Sequence, residues 1–299
     1  MIDHAVGSLR RASLRRQLDA VAAGSSSRLR FDVEASTFDP SGVLAEVAAQ
    51  MQVGSVGLRR LVAAFHLSGA VNRVIDGLGA SNAERQIRSC RTLGALRLEA
   101  ALPWVTPLLR ARDWRVSASA ARALGRIGGV RSADALLAAI QRRGPRRAFV
   151  VALALAAPDL YLESALSSHL HRGTLGAVAV AAGLRRRRTA IGPLTGLLGA
   201  GTNRQRLICC RALGWTHAQS AIQPVMQALF DRDWRVRISA IKSVTALVGA
   251  SQYGQPEVVT NVEFLFRDPD PRVRKAAYGA ARRLRMLKIA KRAPRSPWR

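Results

Sequence analysis

Eight basic side chains recur at matching places in this sequence and are its best candidates for chemistry: Arg91, Arg115, Arg122, Arg204, Arg211, Arg235, Lys242 and Arg272. Arg91, Arg122 and Arg211 each stand three residues before the glycine of a repeated Leu-Gly or Thr-Leu-Gly landmark, and Lys242 lies 120 residues after Arg122. Arg115, Arg204, Arg235 and Arg272 form a second column near the start of the same segments. Residues seven apart share a helix face, so Arg115 with Arg122, Arg204 with Arg211, and Arg235 with Lys242 should point the same way. A guanidinium is a planar fork of donors that matches carboxylate or phosphate oxygens two at a time. The chemistry these columns support is therefore capture of an anion.

Catalysis needs a base beside a nucleophile, and the sequence offers no such set. No Ser/His/Asp arrangement, HExxH, P-loop or Gly-rich dinucleotide pattern stands in a suitable context. Asp113, Asp233 and Asp270 each precede a helical apolar pattern and are expected as helix N-caps. Trp114 and Trp234 follow two of these caps and are expected to pack between neighbouring units. His169 and His171 are two apart, which on a helix sends them to different faces, so no metal site is expected. Cys209 and Cys210 align with Ala120 and Ala121 and are expected as small core residues. Neither a catalytic residue, a cofactor nor a small-molecule substrate is expected.

Composition points the same way. The 299 residues carry 47 Lys and Arg against 19 Asp and Glu, a formal charge of +28, and only Lys242, Lys275, Lys288 and Lys291 are lysines. Such an excess favours an acidic partner, whether an acidic protein, nucleic acid or an anionic membrane surface. Aromatics are scarce and alanine, leucine and arginine dominate, which favours an all-α fold. Three cysteines, two of them adjacent, form no disulfide framework and fit a reducing, cytoplasmic compartment. The longest apolar run, 148–157, is too short to span a membrane and should be a buried helix.

The elements that position the basic columns come from an internal repeat. Asp113-Trp114-Arg115-Val116 returns 120 residues later as Asp233-Trp234-Arg235-Val236. The Thr92-Leu93-Gly94, Ala123-Leu124-Gly125 and Ala212-Leu213-Gly214 landmarks, with Pro103, Pro193 and Pro224, fit the same period of about 30 residues. Each unit reads as two helices, neither able to bury its apolar stripe alone, so stacked pairs must build a quasi-one-dimensional core. Units should begin near Val71, Glu99, Arg131, Asp159, Thr189, Ser220 and Gln255, with Leu93, Leu124, Leu213 and Leu247 buried.

Residues 99–129, 219–249 and 257–284 carry this pattern best, and over 71–288 the chain resembles bacterial HEAT-repeat proteins of the phycocyanobilin-lyase-like type. The resemblance implies a right-handed α-solenoid of about seven HEAT-like helix pairs. Its second helices would line a concave side, making the basic columns a strip along a groove. Proteins of this type include scaffolds, chromophore-lyase subunits and companions of membrane-bound glycosyltransferases. The implied function is a non-catalytic scaffold holding an acidic partner. One alternative is an accessory partner of a membrane-bound enzyme; another is a HEAT-like DNA glycosylase for alkylated bases, which Asp113 and Trp114 would suit. Their recurrence at Asp233 and Trp234 marks them instead as repeat consensus.

The ends stand apart from the array. Residues 1–31 should form a basic amphipathic segment, with Val6, Leu9, Leu14, Leu18 and Val21 on one side, closing in the flexible Gly24-Ser25-Ser26-Ser27 stretch. It would serve as a cap or contact the inner face of the membrane. Residues 32–70 are expected as N-terminal capping helices, 71–288 as the solenoid and 289–299 as a disordered basic tail. From Arg267 to Arg299 there are twelve Lys and Arg against two Asp. Arg185 to Arg188 read as an inter-helix loop outside the strip.

Overall fold

A computed structural model describes residues 2–32, 38–168, 172–250 and 256–292. The chain divides into two compact units, 1–157 and 158–299, and among the described residues both are built from helices without strands.

Unit 1 holds α1 (Ile2–Ala23), α2 (Pro40–Ala49), α3 (Val56–Leu67), α4 (Ala70–Leu78), α5 (Ala83–Leu96), α6 (Leu102–Val105), α7 (Trp114–Ile127), α8 (Gly129–Arg143) and α9 (Arg147–Ala156). Unit 2 holds α10 (Asp159–Ser167), α11 (Arg172–Leu184), α12 (Ile191–Ala200), α13 (Asn203–Thr216), α14 (Ile222–Gln227), α15 (Trp234–Ala250), α16 (Pro256–Phe264) and α17 (Pro271–Arg292). Among the described residues seven helix pairs follow, opening at 70, 99, 129, 159, 188, 219 and 256, each within two residues of its expected start. Gln255 itself lies outside the described residues. The fold is an all-α solenoid. Several first helices break into short 3₁₀ turns: on either side of α6, Glu99–Ala101 precedes Pro103 and Thr106–Arg110 contains Pro107, prolines that lack the amide an α-helical ladder needs.

The second helices stack side by side. In unit 1, α2, α5, α7 and α9 form this row; in unit 2, α11, α13, α15 and α17 do. Leu93, Leu124 and Leu213 are wholly buried and Leu247 almost so. The glycine after each landmark leucine explains the close stacking. A Cβ on Gly94 would lie 2.7 Å from the Ala123 Cα, and one on Gly183, which takes the same place after Ala182 instead of a leucine, would lie 2.8 Å from the Ala212 Cα. The residue three beyond each glycine turns the chain with positive φ, at Arg97, Gly128, Arg186 and His217. Arg97 and Arg186 accept a backbone conformation that suits glycine, and their charge sits at the carbonyl end of the helix, where a cation is favoured.

The N-terminal helix is a docked cap. Leu14, Leu18 and Val21 are buried as α1 packs on α2 and α3, which leaves Leu9 exposed. Arg11 and Arg15 pair with Glu46 of α2, and Arg60 of α3 donates to the carbonyls of Ala22 and Ala23 at the end of α1. The Gly-Ser stretch leads into a non-helical run that returns Leu29 and Phe31 to the core, where Phe31 meets Phe65 at 4.7 Å between ring centroids. Among the described residues no helix is long and apolar enough to cross a membrane. At the other end, α17 continues to Arg292, four residues past the expected limit of the solenoid; 293–299 lie outside the described residues.

Candidate binding face on the second helices

The caps that start the second helices fix where the basic columns stand. Asp113 Oδ1 accepts the Arg115 amide at 2.7 Å, Asp233 the Arg235 amide and Asp270 the Arg272 amide, each at 2.8 Å. Asn82 caps α5, and Thr202 with Gln205 makes a capping box on α13. The amide and side chain of Arg115 hold the Asp113 carboxyl below its usual range, and those of Arg272 hold Asp270 down to about 2. An Asp113 carboxylate committed in this way is a poor general base.

The eight expected site residues divide into engaged and free. Arg115 pairs with Asp113 at 3.2 Å, and Arg272 pairs with Asp270 at 2.7 Å. Arg272 also lies over the Trp234 ring at 3.4 Å, with Arg235 at 5.2 Å from the same ring. Arg91 pairs with Asp39, the residue ahead of α2. Arg122, Arg204, Arg211 and Lys242 are exposed and form no ion pair with a carboxylate among the described residues. Arg122 has company within unit 1: Arg126, one turn further along α7, is crowded by surrounding protein and by the charges of Arg91, Arg97 and Arg122, which together lower its pKa. The basic columns also have gaps. Ala152 takes the place against Gly125 that Ala123 takes against Gly94, so Val151 stands on α9 where Arg122 stands on α7.

A different set of arginines, not singled out by sequence, holds the repeats together. Four residues after its cap, α13 carries Arg206, whose fork grips both oxygens of Asp231 at 2.7 and 2.9 Å in the next repeat and also donates to the Gly201 carbonyl. Arg237 of α15 repeats this with Asp268, at 2.8 Å to each oxygen, while donating to the carbonyls of Asp231 and Arg232. Asp231 and Asp268 each stand two residues before a cap and accept its amide. The legible signal is an Asp two residues before a capping Asp, in Asp231-Arg232-Asp233 and Asp268-Pro269-Asp270, preceded by an Arg four residues after the previous repeat's cap, Thr202 or Asp233. Unit 1 lacks it, with Ala111 and Ser117 in those places.

Two tryptophans at equivalent positions differ. Trp234 is covered by Arg272 from the next repeat, as a packing residue should be. Trp114 is 66% exposed, against expectation, and among the described residues no arginine lies over its ring as Arg272 lies over Trp234. Trp114 instead borders an opening of about 660 Å³ between α7 and α9, lined by Arg122, Arg126, Arg146, Arg147, Val151 and Leu155 among others. No carboxylate lines it, since α9 carries Arg146 where α7 carries its capping Asp113.

The remaining candidates for chemistry are quiet. Burial pushes the Cys90 and Cys209 thiols up to about 12 and Cys210 to about 11, so at neutral pH all three are protonated packing residues. Among the described residues no three His, Cys, Asp or Glu gather at a point that could hold a metal. His169 and His171 lie outside the described residues. Arg187 of the expected loop is paired with Asp159, whereas Arg185 and Arg188 are exposed.

The family model described as HEAT repeats matches residues 71–156 and 194–282, together more than half of the chain. No curated protein matches the chain in sequence. Similar solved structures include an engineered protein at 16% identity, covering 82% of this chain and 78% of that one, with a TM-score of 0.37. Human deoxyhypusine hydroxylase in complex with glycerol is similar at 14% identity, with 93% and 99% coverage and a TM-score of 0.37. Kap121p bound to RanGTP is similar at 12% identity over 95% of this chain but 35% of its own, with a TM-score of 0.43.

Proposed function

The chain belongs to the HEAT-repeat family, and from that premise we propose that it is a non-catalytic scaffold holding an acidic protein partner on the free face of its second helices. The observation that carries this is the division of labour among the arginines. Arg206 and Arg237 are tied into ion pairs between repeats. Arg122, Arg126, Arg204, Arg211 and Lys242 stay exposed on the second helices with no carboxylate partner among the described residues. Family membership supports a repeat scaffold; the charge supports the sign of the partner. The Leu14, Leu18 and Val21 contacts of α1 weigh against the alternative of a membrane-facing N-terminal helix, because its apolar residues are already covered.

The test compares two variants of equal charge in the second unit. Arg211→Gln with Lys242→Gln should weaken binding of a poly-glutamate peptide several-fold more than Arg185→Gln with Arg188→Gln. Long-range attraction falls alike in both, since screening over about 8 Å at physiological salt leaves specificity to nearby charges. Equal losses in the two variants would reduce the second-helix face to a solvated surface.

A further inference from the structure

We infer that the opening between α7 and α9 is a docking groove for an acidic, amphipathic segment of a partner protein. This rests on the scaffold reading above and assigns it a place and a ligand chemistry. Three observations fix the chemistry. One wall, on α7, presents Arg122 and Arg126 one helical turn apart. The facing helix α9 presents Val151 and Leu155, 41% and 47% exposed and also one turn apart. Trp114 at the start of α7 and Arg146 and Arg147 at the start of α9 also line the opening.

An occupant must therefore offer carboxylates along one edge and apolar side chains along the other. The opening of about 660 Å³ takes a few side chains of such a segment. A nucleic acid would satisfy the arginines and could stack on Trp114, but it would lay its phosphates against the aliphatic Val151 and Leu155, which offer neither a donor nor a flat ring. A second copy of this chain is also a poor occupant: with 47 basic and 19 acidic residues, its surface repels the groove. A charged wall beside an apolar wall is what an acidic helix or strand with one hydrophobic side complements, the arginines setting register and the apolar contact excluding water.

The probe is a labelled helical peptide with glutamates paired one turn apart beside a leucine stripe, titrated by fluorescence anisotropy against the full chain. Its controls are the same peptide with leucines changed to serine and a single-stranded oligonucleotide of equal charge. The amphipathic peptide should bind at least ten-fold more tightly than its serine version. Arg122→Gln with Arg126→Gln, and separately Val151→Ser with Leu155→Ser, should each weaken it ten-fold or more, whereas Arg185→Gln with Arg188→Gln should not. The four groove positions are exposed, so helicity by circular dichroism should be unchanged. If the peptide binds but the groove variants behave like the loop variant, the groove is overturned and the acidic-partner reading stands. If no acidic probe binds the wild-type chain, both fall. If the oligonucleotide binds as tightly and the serine changes do nothing, the face reads nucleic acid and the inference is overturned.

Discussion

Replacing Asp268 by Ala should cost about 3–5 kcal/mol of stability, the range found when one partner of a buried ion pair is removed. Asp268 and Arg237 are 4% and 12% exposed at their side chains, and the truncation would strand the guanidinium between two repeats. It would also remove the acceptor for the Asp270 amide at the start of α17. The double change Arg237→Met with Asp268→Leu should recover much of the loss, because removing both charges abolishes the unpaired one. Urea unfolding of the single and double variants checks this; a double variant as unstable as Asp268→Ala would show that the pair itself, rather than the stranded charge, matters.

Acid should act on the other staple, Arg206–Asp231. In Asp231, burial works to raise the carboxyl pKa, but the Arg206 fork, the Asp233 amide and the charges of Arg206 and Arg237 outweigh it and hold the value below normal. A carboxyl depressed on folding contributes stability that is complete above its unfolded value of about 3.9 and is lost as pH falls through the folded value. Asp270, held down to about 2, behaves alike. Thermal stability should therefore begin to fall only below about pH 4.

The second large effect concerns helix stacking. Gly94→Ala puts a methyl 2.7 Å from the Ala123 Cα and 3.1 Å from its Cβ, so α5 and α7 must separate. Overpacking of this kind costs about 1–3 kcal/mol. Gly196 lies within α12 with nothing within 4 Å of an added Cβ, and Gly196→Ala should gain about 0.5–1 kcal/mol from helix propensity. The same substitution thus has opposite signs at two helical glycines. Thermal unfolding of both decides it, and a stabilising Gly94→Ala would mean that the rows are packed more loosely than the stacking geometry requires.

These features were unequally visible in the sequence. The period, the caps at Asp113, Asp233 and Asp270 and the buried leucines follow from local rules that repeat, so each unit confirms the next. The Arg206–Asp231 and Arg237–Asp268 staples join residues 25 and 31 apart, and in a chain with 47 basic residues the arginines that pair are hidden among those that do not. Aligning on Leu-Gly placed Arg122 and Arg211 in one column but could not show that α9 breaks it with Val151, because α9 has no Leu-Gly to align. Trp114 departs from the expectation for a related reason: whether a tryptophan is covered depends on the next repeat, and among the described residues it is Trp234 that has an arginine of the next repeat over its ring.

Arginine footprinting asks directly whether an acidic partner sits on the exposed faces of the second helices. The full chain is labelled with phenylglyoxal with and without bound poly-glutamate, and modified sites are read by mass spectrometry. Arg122, Arg126, Arg204 and Arg211, exposed on second helices, should be protected at least several-fold, while Arg131 and Arg142, equally exposed on the first helix α8, should label as before. Uniform protection, or protection centred on Arg131 and Arg142, would mean that the partner does not sit there.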